Sequence, residues 1–338
     1  MSLRRTLLSL CLIGHVMSTN ITIGELPEEI SKEFKKMSHI PMPDTTLKCL
    51  HRVKPELQFF LYNRSNTENP VTFDPKNSNI GEKKLVVLIH GWLTSYTTTE
   101  IQELKDAYLA HYDCNVLMVD WSIAAMQPYE TSYCYIGIIS LQVSKFLCQL
   151  SKTADLNLHE IHVIGHSMGA HVAGLTGHFI TNKCKTKIGR ITALDPPKEL
   201  GSQKLKKDSA RFVDVIHTDI DRLGSPTSYG HADYYVNCGF HQPGCKQISK
   251  ILESDTLADV MCSNLRSVKL MTESIGSTNA VAVSCGLCPR YCRPNVISET
   301  YNLMGERAVH PRKHSVKLFL ITTHHAHPYF IGWDGHNP

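Results

Sequence analysis

The residues best suited to chemistry are Gly165-His166-Ser167-Met168-Gly169. The apolar run 161–164 precedes them, and Ala170-His171-Val172-Ala173-Gly174 follows. A strand, a strained turn carrying a nucleophile and a helix packed close behind it require residues in this order. The glycines permit the crowded backbone, and Ser167 is pushed out where a carbonyl can reach it. A plain glycine-rich turn is the competing reading. Serine alone is a poor nucleophile: it needs a base for its proton, a group to orient that base, and donors for the oxyanion. His90-Gly91-Trp92 follows another apolar run. The backbone N–H groups of Trp92 and Met168 are therefore expected to form the oxyanion hole; the alternative is only a tight loop after a strand. Asp195 also sits at a strand end, with Pro196 and Pro197 fixing the chain, and is the expected acid unless it merely caps a turn. Asp120 is a second carboxylate at a strand end, but it precedes Ser167 and reads as structural.

These groups need elements to position them. The mostly apolar runs 85–89, 115–119, 161–164, 188–194 and 212–216 suit strands covered on both faces. Helical segments at 100–110, 138–150 and 170–181 alternate with them, and 317–323 reads as a final strand. Such alternation implies a mostly parallel α/β sheet with helices on both faces. Polar residues at the strand ends then gather along one edge, where ligands bind in open α/β sheets. No internal repeat or low-complexity tract interrupts the pattern.

Arg4 and Arg5 precede the apolar run 7–13, and small residues follow near 16–18. This reads as a signal peptide over 1–18, with a buried N-terminal helix as the alternative. Residues 19–338 then form one domain. No later run offers about 20 apolar residues, so no transmembrane segment is expected. The formal net charge of +4 is small and gives no reason to expect nucleic acid; Lys204, Lys206 and Lys207 read as a solvated face. Of 12 cysteines, Cys11 lies in the leader, so a secreted chain keeps an odd number, implying disulfides and one left-over thiol. Cys285, Cys288 and Cys292 crowd together; metal ligation is the rival there, but secretion favours disulfides. Neither a metal nor a cofactor is expected. Asn63-Arg64-Ser65 is a glycosylation sequon, and Asn20-Ile21-Thr22 is a second one close to the new terminus.

Across residues 85–329 the chain resembles the animal pancreatic-lipase family, especially its insect phospholipase A1 and neutral-lipase branch. The matching stretches include Leu88-Ile89-His90-Gly91-Trp92, Val119-Asp120-Trp121-Ser122, Val163-Ile164-Gly165-His166-Ser167-Met168-Gly169 and Ile191-Thr192-Ala193-Leu194-Asp195-Pro196. Val215-Ile216-His217-Thr218-Asp219, Gly230-His231-Ala232-Asp233-Tyr234-Tyr235, Gln242-Pro243-Gly244-Cys245 and Met304-Gly305-Glu306 continue the set. The resemblance implies an α/β-hydrolase fold, in which nucleophile, acid and histidine follow one another along the chain. It also implies secretion, cleavage of carboxylic esters in lipids, and a lipid or phospholipid surface as partner.

Members of that family carry Cys-Ser-His-x-Arg after a disulfide-closed lid, and that histidine is the general base. Here the stretch is Cys262-Ser263-Asn264-Leu265-Arg266, with Asn264 at the histidine position. By the resemblance, Cys245 and Cys262 pair and bracket a lid over 246–261. An amide neither accepts a proton near neutral pH nor carries the positive charge that imidazole takes up. Loss of the base in such a triad costs about 10⁶ in kcat, with roughly 10³–10⁴ over water remaining. Ester hydrolysis is thus expected to be weak or absent unless His166, His231 or His241 substitutes. The lid places Ile248, Ile251, Leu252, Leu257 and Val260 among Lys246, Lys250, Glu253 and Asp255, which suits a lipid-facing cover or a packed surface helix. Its shortness leans toward a phospholipid ligand, and the family's C-terminal lipid-binding β-sandwich is expected to be missing. Three readings remain: a crippled hydrolase that binds lipid, a working phospholipase A1 or lipase with another base, and a yolk-type storage protein.

Overall fold

The computed structural model describes residues 21–37, 55–74, 80, 83–247, 251–291, 300–311 and 318–332. The proposed signal peptide, Asn20, the lid residues Ile248 and Lys250, Cys292 and Lys317 fall outside them. The strands are β1 (Gln58–Tyr62), β2 (Val71–Thr72), β3 (Lys84–Ile89), β4 (Cys114–Asp120), β5 (His162–His166), β6 (Arg190–Leu194), β7 (Phe212–His217), β8 (Ala232–Val236), β9 (Val281–Ser284), β10 (Tyr301–Leu303) and β11 (Leu318–Ile321). They form one sheet in the order β10-β9-β11-β8-β7-β6-β5-β3-β4-β1-β2. From β4 through β3, β5, β6, β7 and β8 to β11 every pairing is parallel, and the outer strands pair antiparallel. The expected mostly parallel sheet is therefore present. Its edge strands were not read from the sequence, because short strands such as Val71–Thr72 carry no apolar run.

The helices are α1 (Glu28–Met37), α2 (Thr99–His111), α3 (Ser122–Ala125), α4 (Tyr129–Thr153), α5 (Met168–Cys184) and α6 (Leu257–Gly276). The fully buried strands present alternate residues to two apolar layers. Val87, Val163, Ile191 and Val213 face the layer containing Ile139, Val143, Val172 and Ile180 of α4 and α5. Val86, Leu88 and Ile164 face the layer containing Leu104 and Tyr108 of α2 and Val268 and Met271 of α6. Helix α4 starts earlier than the pattern 138–150 implied, after Pro128 at its N-cap. By length and composition it could cross a membrane, but its inner residues, from Tyr133 to Leu150, are buried against this core.

The connection order reverses at β3. The chain runs from β3 to its neighbour β4, then returns to the opposite side of β3 to form β5. Crevices at such reversals, beyond the strands' C-terminal ends, are where open α/β sheets bind ligands. His90 follows β3 and Ser167 follows β5, so the candidate chemistry sits at the reversal.

Candidate active site

The turn after β5 is an elbow. Ser167 takes φ 52° and ψ −124°, at the N-cap of α5, and its N–H donates to Leu194 O at 2.8 Å. Strain of this kind costs of order 1–3 kcal/mol and persists only where the surroundings enforce it. The pentad glycines are those surroundings. A Cβ on Gly165 would lie 2.2 Å from Gly169 O, and one on Gly169 would lie 2.4 Å from both Ile89 O and His90 O. Only glycine lets β5, α5 and the end of β3 approach this closely.

The oxyanion side is built largely from backbone. A Cβ on Gly91 would lie 2.8 Å from Ser167 Cβ and 2.9 Å from His166 O, so the His90-Gly91-Trp92 turn runs directly against the nucleophile. Gly91 N–H donates to Thr94 Oγ1 at 2.9 Å, Leu93 N–H to Ala125 O at 3.1 Å, and the Trp121 indole to His90 O at 2.8 Å. The Trp92 indole donates to Gln127 O at 2.8 Å. The Met168 N–H opens α5 and has no acceptor within that helix. Asp120 belongs to this support: Oδ1 lies 3.0 Å from His90 Nε2, and Ser122 Oγ donates to Oδ2 at 2.9 Å. Its Oδ1 also accepts Tyr96 N–H at 3.3 Å, so its partners are His90, Tyr96 and Ser122, not Asn264.

Asp195 follows β6 in a left-handed conformation, φ 46°, and is fully buried. Its Oδ1 accepts the N–H groups of Thr218 (2.8 Å) and Asp219 (3.0 Å). Its Oδ2 accepts Asn264 Nδ2 at 2.7 Å. Asn264 therefore occupies the place of the residue that an acid orients in a triad. Its Oδ1 has no hydrogen-bond partner among the described residues. Burial pushes the Asp195 carboxyl up to about 6, against the Thr218 amide, the Asn264 amide, the nearby His217 and the Asp219 amide. Asp219 is raised well above the ordinary range, first by burial and then by the charge of Asp195.

No imidazole nitrogen among the described residues hydrogen-bonds Ser167 Oγ. His166 comes nearest in the chain, but its ring faces Asn264. Burial pushes it down to about 4, opposed by the backbone and side chain of Asn264, yet neither ring nitrogen makes a hydrogen bond within normal limits. His231 does not lie on the approach to the lid. It precedes β8 at the opposite edge of the sheet, where Nδ1 accepts Val213 N–H at 3.0 Å. His241 follows β8 beside Gln242, and nothing couples it to Ser167.

Cys245 and Cys262 are bonded, with Cα atoms 5.6 Å apart. Cys148–Cys184 and Cys285–Cys288 are also disulfides, while Cys114 and Cys238 are free thiols. Lid residue Ile251 is buried and Leu252 is 51% exposed. Asn63 lies in the turn after β1, where its Oδ1 accepts Ser65 N–H at 2.8 Å. The support for the acid was the part least visible in the sequence. Gln242 is fully buried and donates to Thr218 O, Val236 O and Phe240 O, while Ser263 Oγ accepts its backbone N–H at 3.1 Å. It thus ties the acid's loop to α6. Arg266 donates to Pro243 O at 2.9 Å and stacks on Tyr329 at 4.4 Å, and Glu273 accepts the Tyr329 and Phe330 N–H groups. Both hold the chain segments around α6 in place.

Comparison with known proteins agrees with this geometry. Residues 29–329 match the family model described as Lipase. The chain is 33% identical to phospholipase A1 member A of Mus musculus, covering 75% of this chain and 57% of that one. It is 32% identical to lipoprotein lipase of Gallus gallus, covering 71% and 53%. It thus spans about half the length of the curated relatives it matches. Among solved structures it is similar to an arylesterase, at 18% identity over 59% of this chain and 61% of that one, with a TM-score of 0.30. That partial overlap adds nothing to the topology already described. The α/β-hydrolase sheet, the elbow and the matched family model together place the chain in the lipase family.

Proposed function

We propose that this is a secreted lipase-family protein that binds lipid, with phospholipid preferred, and hydrolyses its esters weakly or not at all. One observation carries the reading: the buried Asn264 amide holds Asp195 Oδ2 at 2.7 Å where the general base must stand. The acid, the elbow and the oxyanion turn keep the form of a hydrolase, so an acyl ester reaching Ser167 meets donors for its oxygen. It meets no group that removes the serine proton. The relatives named phospholipase A1 and lipoprotein lipase support a lipid ester as the ligand. The disulfides support an oxidising, extracellular setting.

The test is labelling of Ser167 by an organophosphate, followed by mass spectrometry. Slow labelling of the native chain and rapid labelling of Asn264→His are expected. Rapid labelling of the native chain would reject the silent-hydrolase reading in favour of an active enzyme with another base. Sedimentation with phosphatidylcholine vesicles tests the binding half; a chain that ignores vesicles of every composition fits a storage protein instead.

A further inference from the structure

The lysines at 204–207 read from sequence as one solvated face, and the fold divides them. Lys204 Nζ donates to Glu199 Oε1 at 2.6 Å. Lys206 and Lys207 instead join Lys187, Arg211 and His231 around a pocket of about 670 Å³, with Asp208 the one carboxylate in its lining. Lys187, Lys206 and Arg211 have no ion-pair partner among the described residues. Three chain segments meet here, and each leads into a neighbouring strand: 187 before β6, 206–211 before β7, and 231 before β8. Backbone holds them in place. Arg211 N–H donates to Ile188 O at 2.9 Å, His231 N–H to Val213 O at 2.7 Å, and Ser209 N–H to Lys206 O at 3.0 Å. A Cβ on Gly177 of α5 would lie 2.0 Å from Ser209 O, so glycine lets the 206–209 turn lie flat on that helix. The cations therefore stand on a fixed backbone. Like charges gathered in this way repel, and an anion among them relieves the repulsion.

We propose that this pocket binds a soluble phosphomonoester, with its phosphate held by Lys187, Lys206 and Arg211. A phosphate ester carries close to two negative charges at neutral pH and three acceptor oxygens. The Arg211 guanidinium offers a planar fork for two of those oxygens, and the lysines offer point charges. The volume suits one small molecule. The pocket lies at the N-terminal ends of β6, β7 and β8, whereas Ser167 and Asp195 follow the C-terminal ends of β5 and β6. A five-residue strand such as β6 spans roughly 17 Å. A bilayer resting on the basic end would hold Ser167 off its surface by about that length, which favours a soluble phosphate over a lipid headgroup. The site thus stands apart from the ester cleft and from the chemistry at Asn264.

Calorimetric titration at fixed ionic strength tests the proposal, with glycerol 3-phosphate as probe and glycerol as control. Glycerol 3-phosphate should bind saturably and glycerol should not. Lys206→Gln combined with Arg211→Gln should weaken binding about tenfold or more, because charged hydrogen bonds are lost. Lys187→Gln, in a separate segment, should weaken it about threefold or more. Lys206 and Arg211 are exposed and Lys187 is half-buried, so thermal midpoints without ligand should match the native chain. No saturable binding by the native chain overturns the proposal. So does undiminished binding by both variants, because the phosphate would then sit elsewhere. Phosphatidic acid vesicles or dextran sulfate bound by a chain that ignores glycerol 3-phosphate overturn it as well, because the basic end would then serve a membrane or a polyanion.

Discussion

The two halves of the site are built from different materials. Around the elbow and oxyanion turn, backbone contacts set the chain path: Ser167 N–H is held by Leu194 O, and Leu93 N–H by Ala125 O. Around the acid, side chains do it, and that half holds six of the buried polar atoms without a hydrogen-bond partner among the described residues. They are both ring nitrogens of His166, Thr218 Oγ1, both oxygens of Asp219, and Asn264 Oδ1. A backbone-built half is a property of the fold, shared by every residue that shapes the turn. A side-chain-built half hangs on single residues. Asn264 hydrogen-bonds Asp195 from within α6. On the proposed reading, an amide there in place of an imidazole removes a proton acceptor without removing a support, which makes catalysis and folding separable at this position.

If the difference between the halves is one proton acceptor, restoring it has the largest effect. Asn264→His should raise hydrolysis of phosphatidylcholine or triacylglycerol by about 10³-fold or more, because the base acts only in concert with the nucleophile. Asp195→Ala placed on top should abolish most of that gain. Rates for both lipids, measured side by side on native and variant chains, check this; equal rates would mean another group already takes the proton. The next effect falls on the backbone half. In the Asn264→His background, Gly91→Ala drives a methyl to 2.8 Å from Ser167 Cβ and 2.9 Å from His166 O. The oxyanion donors shift, and kcat should fall about 10²-fold, with a loss of about 1–3 kcal/mol in stability from overpacking. A drop in thermal midpoint without a drop in kcat would show that the turn yields without moving the donors.

The same contrast explains what was legible in the sequence. Glycines and strand-end polar residues record the backbone half directly: Gly165, Gly169 and Gly91 are there because a Cβ has no room. Ser167 and Asp195 could thus be read as candidates at strand ends before any coordinates. The resemblance to the lipase family assigned Asn264 its role; spacing alone did not. The acid's supports were less visible. Gln242 works through three carbonyls from separate segments, and Asp219 is unusual only because it is buried beside Asp195. The backbone pairing of residues 21–24 with 253–257 was invisible, because such hydrogen bonds depend on tertiary proximity and leave no residue pattern.

The smallest expected effect is on stability and reads the side-chain half directly. Burial and the charge of Asp195 raise Asp219 well above the ordinary carboxyl range, and burial raises Asp195 to about 6. An unfolded aspartate titrates near about 3.9, so between roughly pH 4 and the raised values the folded chain binds more protons than the unfolded one. Stability contributed by these groups is therefore present at low pH and lost as pH rises. Glu306 has the opposite sign: burial opposes its charge, but His162, Lys84 and Tyr108 outweigh that and hold it well below the usual range. Its contribution is present at neutral pH and lost only in acid, so a window of pH 5 to 8 leaves it out. Burial also lowers His162, His166 and His171, whose contributions grow as pH rises from 5 toward about 6.5. The reading is therefore the difference between the urea midpoints of two chains: with rising pH Asp219→Asn should gain on the native chain and be more stable at pH 8 by about 1 kcal/mol, on the scale of one unit of pKa shift. A difference between the two midpoints that stays constant across pH would mean that Asp219 is ionised and compensated in the folded protein, and the acid half would then be as well satisfied as the elbow.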